Sequence, residues 1–324
     1  MLHLRLAVNE RGATHIQRHT PCQDRFLVRK DGQRTLFALA DGHGSAPYTR
    51  SGLGARLMCA AAAQVLLAED AELCPDAALT ADLKDTYNHL VRRHLTLRPL
   101  EDWEYARLQN RPPEQAYGCT FLAALVTPQE VLCIQVGDGE IALLNEVGAF
   151  LPPLDADNAC KGNLTSSMAY DRARCLAHFR VRRYAQPVAA LFLYSDGYSH
   201  SGSVPYEAAG LLALNHAPTS EAVLSHGRHG DDLTFLLAAD DTLTASEAFQ
   251  TCLVRTLRRG RRLQEAERLK AELQSAECYL RLALQQYHAA KTVAQAEAWA
   301  AKIRPKADAY RAALITYEQL QSEL

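Results

Sequence analysis

Leu36-Phe-Ala-Leu-Ala-Asp41-Gly-His-Gly44 is an unbroken apolar run that ends in an acidic turn. It is read as a short apolar-rich strand. Upstream, Lys30-Asp31-Gly32-Gln33 separates Phe26–Arg29 from Thr35–Ala40. Asp-Gly supplies the positive-φ positions of a tight hairpin turn, so the two runs are expected to pair. Asp41 then stands just beyond a strand end, where its carboxylate can point across the rim of a sheet.

Four more stretches share that design: Gln23-Asp24, Gly137-Asp138-Gly139, Ser195-Asp196-Gly197 and Gly230-Asp231-Asp232. Each aspartate ends an apolar run or precedes one. Any one of them alone reads first as a plain turn, since Asp and Gly are ordinary turn residues, and Asp31-Gly32 is read that way. Several on one rim would gather carboxylates that repel one another in a partly dry site. Hard divalent ions relieve that repulsion, because Mg²⁺ and Mn²⁺ take oxygen ligands and keep several waters. A pair of such ions makes hydroxide available near neutral pH and clamps a phosphate for in-line attack.

Between these stretches, Ser51–Ala68 and Asp76–Leu97 carry helical spacing, the latter with Leu79, Leu83, Tyr87, Leu90 and Val91 on one face. Arg98–Tyr117, with Pro99, Pro112 and Pro113, is expected to be a surface connection. Thr120–Val126, Glu130–Val136 and Glu140–Asn145 are expected to form a three-strand meander. Val188–Tyr194 and Leu233–Ala239 are expected strands, and Tyr206–Asn215 and Ser220–Leu224 short helices. Leu151–Ala177 shows no clear period, and a connection that long is usually functional or disordered.

The motifs, taken in order, resemble the PP2C family of metal-dependent Ser/Thr protein phosphatases over about residues 5–240. Thr20-Pro-Cys-Gln-Asp24-Arg-Phe and Leu36 to Gly44 look like its opening motifs, and Tyr117-Gly-Cys-Thr-Phe121 like its Gly-Thr-Thr strand. Gln135-Val-Gly-Asp-Gly139, Leu193-Tyr-Ser-Asp-Gly197 and His229-Gly-Asp-Asp-Leu-Thr234 resemble its remaining acidic motifs. Gly162-Asn-Leu-Thr-Ser166 is similar to the bacterial branch.

The resemblance implies an α+β fold, a central β-sandwich flanked by helices, with two Mn²⁺ or Mg²⁺ ions and a weaker third. By position, Asp41 would bridge both metals and the Gly42 carbonyl would bind one. Asp196 and Asp231 would complete the first metal, and Asp138 would share the third ion with Asp196. Asp24 would orient water and His43 would be the general acid. The family's phosphate-binding arginine falls at His19, so Arg18 is the expected substitute, because a guanidinium fork suits phosphate oxygens. Gln23 stands where many relatives have Glu, which alters an outer water contact. Asp232 replaces a common Asn, either as a ligand or as a strand-start hydrogen-bond acceptor. Leu151–Ala177 lies where relatives place a flap, so it is expected to gate protein substrates.

The 324 residues are 48% hydrophobic and 22% charged, which excludes a disordered chain. Lys+Arg 35 against Asp+Glu 37 gives a net charge of −2 and no basic field for nucleic acid. Nine cysteines, an odd number with no CxxC pair, read as reduced thiols, and no apolar run approaches a membrane span. Those observations and the lack of an apolar leader predict a cytoplasmic protein.

Composition shifts after Asp241 to strong helix formers. The expected division is a phosphatase-like domain over 1–242 and a helical extension over 243–324. Two or three helices are expected (Ser246–Leu257, Arg261–Ala290 and Lys291–Leu324), with Leu263, Leu269, Leu273, Leu280 and Leu284 as the apolar stripe of a hairpin or small bundle. The basic run Arg255, Arg258, Arg259, Arg261 and Arg262 is expected to be a solvated helix end. The extension, residues 245–324, is expected to dock a partner or a second copy of the chain. Two functions follow: a phosphatase acting on phosphoproteins and reversing a bacterial Ser/Thr kinase, or a non-catalytic phosphatase-like binding or scaffold module working through the tail. The retained carboxylates favour the first.

Overall fold

In a computed structural model, the protein is described over residues 1–160, 164–198, 204–213, 218–224 and 230–323. The chain runs through β1 (His3–Glu10), α1 (Ala13–Gln17), β2 (Arg25–Asp31), β3 (Arg34–Ala40), α2 (Ser51–Leu66), α3 (Asp76–Leu97) and α4 (Asp102–Leu108). A 3-10 turn at Pro113–Tyr117 leads into β4 (Phe121–Val126), β5 (Glu130–Val136), β6 (Glu140–Asn145), α5 (Arg172–Leu176), β7 (Arg180–Ala185) and β8 (Val188–Tyr194). Then come α6 (Val204–Gly210), α7 (Ser220–Leu224), β9 (Leu233–Ala239), α8 (Asp241–Thr244), α9 (Glu247–His288) and α10 (Val293–Glu323).

Two antiparallel sheets, ordered β1-β9-β8-β6 and β2-β3-β4-β5-β7, make a sandwich. Phe37, Leu39, Leu122, Ala124, Leu191, Leu193 and Leu236 fill the space between them. The alternate residues Leu36, Ala38 and Ala40 face the other way, into a second core with Met58 of α2 and Leu83 and Tyr87 of α3. β3 is apolar throughout because both of its faces are covered. Asp31 pairs with Arg34 across the β2–β3 turn, where Gly32 takes φ +58° and supplies the required handedness.

Register brings the acidic turns together. Arg25 pairs with Ala40, Phe121 with Val136, Glu140 with Tyr194, and Tyr194 with Phe235. The start of β2, the end of β3, the start of β4, the β5–β6 turn, the end of β8 and the start of β9 therefore share one rim.

Several sequence expectations change. β6 leaves the β4–β5 pair and joins β8 in the other sheet, so there is no three-strand meander. Arg98–Tyr117 holds α4, started by a Glu101/Glu104 capping box, and the 3-10 turn. Its proline content signalled a loop, but Glu104 is buried against Arg50 at 2.6 Å. α6 starts at Val204 and ends at Gly210, and Asn215 lies outside the described residues. β1 and β7 were not expected from sequence.

The chain divides into two units, Met1–Leu253 and Val254–Leu324. α9 runs unbroken through Gly260, so the arginine cluster lies inside a helix and not at a helix end. Gly costs only about 1 kcal/mol relative to Ala in a helix, which neighbouring turns of strong helix formers offset. α10 continues through the exposed Pro305. In the second unit these helices form an antiparallel hairpin, with Arg262 Nη2 and Glu323 Oε2 3.4 Å apart. The buried stripe of α9 is Ala266, Leu269, Leu273 and Ala283, while Leu284 is exposed. No helix among the described residues is long and apolar enough to cross a membrane.

Candidate active site

Asp41, Gly42, His43, Asp138, Asp196 and Asp231 line one cavity of about 430 Å³ at the shared rim. Thr120 fixes the β3 end: its N–H donates to the Asp41 carbonyl at 2.8 Å and its Oγ1 accepts from the Asp41 N–H at 3.2 Å. The His43 N–H donates to the Gly118 carbonyl at 3.1 Å, and its ring meets Tyr48 edge-on at 4.7 Å. Gly137, at φ +105°, lets the β5–β6 turn pass Thr120, where any Cβ would come within 2.6 Å of the threonine side chain.

Asp24 lies behind this cavity with no exposure. Ser195 Oγ donates to Asp24 Oδ2 at 2.8 Å and accepts from the Thr234 N–H at 2.9 Å. Asp24 Oδ1 is buried and receives no hydrogen bond from an N–H or hydroxyl, and the Asp24 carboxyl adjoins that of Asp41. Burial pushes Asp24 up to about 7, against hydrogen bonds from Asp41 and Ser195. Burial first, then the charges of Asp24 and Asp196, push Asp41 well above the carboxylate range. Desolvation and Asp196 raise Asp231 as well. Desolvation holds His43 down at about 4.

Among the described residues, no three His, Cys, Asp or Glu side chains stand close enough to hold an ion by themselves. The donor set is nevertheless all hard oxygen: four aspartates, the Gly42 carbonyl and the buried carboxyl of Asp24 next to them. Such donors suit a cation that keeps most of its water and takes one or two carboxylates, the habit of Mg²⁺. Burial raises Asp41 and Asp231 on the cavity wall and Asp24 behind it, so a cation held there would relieve the charge these three carboxyls resist.

Arg18 does not line this cavity. It lines an adjoining one of about 610 Å³ together with Gln23. His19, at the position of the expected arginine, takes a left-handed backbone with φ 55°. Asp232 is buried as a clamp, accepting from the Gly12 N–H at 2.8 Å and the Gln23 N–H at 2.5 Å, with His15 Nδ1 also 2.8 Å away. Of the two roles weighed for it, hydrogen bonding at the strand start is the one seen. Gly162, Asn163 and His229 lie outside the described residues, but Leu164, Thr165 and Tyr170 reach the cavity wall. Sequence reasoning missed Ser195 as a partner of Asp24, although it sits beside Asp196 in the same motif. It also missed Lys84, a buried lysine at 1% exposure whose Nζ donates to the Met168 carbonyl at 2.6 Å.

A family model described as protein phosphatase 2C matches residues 11–274. The chain belongs to the protein phosphatase 2C family. That places it among enzymes that remove phosphate from serine and threonine side chains. No curated protein matches it significantly in sequence. Among solved structures it is similar to the Ser/Thr phosphatase Stp1 from Staphylococcus aureus, at 17% identity and TM-score 0.51, covering 74% of this chain and 96% of that one. A bacterial serine phosphatase point variant is similar at 18% identity and TM-score 0.50, covering 74% and 99%. At these identities the two likenesses concern the fold, which is the two-sheet PP2C sandwich.

Proposed function

We propose that this PP2C member is a metal-dependent protein phosphatase for phosphoserine and phosphothreonine, working at the rim cavity and reversing a bacterial Ser/Thr kinase. The observation that carries it is the convergence of Asp41, Asp138, Asp196 and Asp231, from four separate strand ends, in one cavity beside buried Asp24. A carboxylate cluster of this kind is costly to fold and gains nothing without cations.

Asp41, Asp196, Asp231 and the Gly42 carbonyl would hold two Mn²⁺ or Mg²⁺ ions, with Asp138 and Asp196 sharing a weaker third. Bound there, such ions supply charge neutralisation for phosphoryl oxygens and an acidified water near neutral pH. The chain's own residues then orient and shuttle protons. Asp24, aligned at Oδ2 by Ser195, holds or accepts a proton at its carboxyl, next to that of Asp41. His43 is neutral at physiological pH, with a value of about 4, so it serves the leaving oxygen as an N–H donor more than as a charged acid. The adjoining position of Arg18 suits contact with the substrate around the phosphate.

Phosphate release from a phosphothreonine peptide with Mn²⁺, Mg²⁺ or EDTA tests this reading. Turnover should need the metal, and Asp41→Asn should lower kcat on the order of 10²–10³-fold. A folded protein with no turnover under either ion would instead support the binding-module reading.

A further inference from the structure

The 610 Å³ cavity beside the active site carries the opposite charge. It shares Gly44, Ser45 and Tyr48 with the carboxylate cavity, so the two are neighbours across one wall. No Asp or Glu lines it, while Arg18 and Arg107 do, and His15 lines it with its Nδ1 turned to Asp232 at 2.8 Å. Guanidiniums nearby are already engaged: Arg50 with Glu104, and Arg25 with the carbonyls of Cys22 and Asp24. Among the described residues Arg18 has no side-chain partner, and Arg107 has only the ring of Trp103, 5.3 Å from its guanidinium carbon. Stacking on an indole leaves the guanidinium edge free to form a bidentate pair. Gln23 also lines the cavity, and its Oε1 is buried without a donor. That oxygen is an acceptor suited to a peptide N–H.

We propose that this cavity is a subsite for an anionic side chain, a carboxylate or a second phosphoryl group, flanking the phosphorylated residue of the substrate. The proposal rests on the phosphatase reading of the adjoining site. The two cavities share a wall at Gly44, Ser45 and Tyr48, so a substrate occupying both would reach them with residues close together in its sequence. Arg107 and Arg18 would grip the anion, Trp103 would hold the Arg107 plane, and Gln23 would take a backbone N–H. The enzyme would then prefer acidic or multiply phosphorylated segments, although its own active site is acidic.

The test is a phosphothreonine peptide panel with Asp, phosphoserine, Ala or Lys placed up to three residues to either side. Wild type and Arg107→Glu are compared with Mn²⁺ present. KM for wild type should be about two- to fivefold lower for the best acidic position than for Lys, the scale of one exposed ion pair. In Arg107→Glu the ratio should collapse or invert, and Arg107→Ala, at an exposed position, should bring it near one. The Asp and phosphoserine arms distinguish carboxylate from phosphoryl recognition. Uncleavable phosphonate analogues of the same peptides give Kd by fluorescence anisotropy. Turnover with identical peptide ranking in wild type and both variants would overturn the subsite and leave the phosphatase standing. Ranked Kd values without turnover of any peptide would do the reverse.

Discussion

Asp24 and Asp41 are two carboxyls in a space that favours fewer than two charges. Burial raises both, and Asp24 reaches about 7 against an ordinary value of 3.8. Between those two pH values native Asp24 binds more protons than the unfolded chain does, so its contribution to stability is present below about 4 and is lost as pH rises through 7. His43, depressed to about 4, acts in the opposite sense, with stability rising through pH 4–6.5. A variant therefore isolates Asp24 better than a wild-type profile does. Asp24→Asn keeps an acceptor for Ser195 and cannot ionise. In EDTA, its Tm relative to wild type should rise from pH 4.5 to 7.5. A difference in Tm that is flat with pH, by scanning calorimetry, would count against the raised value. The positions of these aspartates were readable because each follows or precedes an apolar run. That Asp24 sits behind the others, paired with Ser195, depends on β2, β8 and β9 meeting at one rim, which no local pattern encodes.

At the level of elements, Lys84 links α3 to the segment that walls the cavity. Its Nζ donates to the Met168 carbonyl and to Asn88 Oδ1 at 2.8 Å, while the Met168 N–H donates to the Cys119 carbonyl at 2.9 Å. Thr165 and Tyr170, on either side of Met168, line the cavity. Burial lowers the lysine's pKa, and without Lys84 the Met168 carbonyl would lose the donor it has among the described residues. Lys84→Met should cost about 1–3 kcal/mol in urea unfolding, the penalty for an unsatisfied buried acceptor. A loss below the error of the measurement would remove this tie between helix and segment. The helix itself was legible from its apolar period over Asp76–Leu97, and its bounds match. α4 was not, because prolines on both sides gave loop chemistry while the capping box and the buried Arg50–Glu104 pair fixed a helix. β7, Arg-Val-Arg-Arg-Tyr-Ala, escaped notice for a related reason: it is a half-buried edge strand whose arginines are held by distant acids, such as Arg183 with Asp76 at 3.0 Å.

For the whole molecule, the boundary of the catalytic part has a measurable consequence. Phe249 and Leu253 are fully buried in the first unit, and the carbonyl of Phe249 and the N–H of Leu253 lie close against Gly148. A chain cut after residue 253 should keep a Tm near that of the full-length protein. A cut after 242 should lose about 3–6 kcal/mol, from two large apolar side chains at about 1.5–3 kcal/mol each. Equal stability of the two truncations would place the boundary at 242. Local sequence was enough for the strands with two covered faces, the helices with a clean apolar period, the acidic turns and the helical character of the tail, because each is written into neighbours a few residues apart. The partition of β6 and β8 into one sheet, the burial of Asp24, the diversion of Arg18 into a neighbouring cavity and the inclusion of Phe249 in the first core are different in kind. They depend on contacts between residues far apart in the chain, and those are set by which faces pack once the two sheets close on each other.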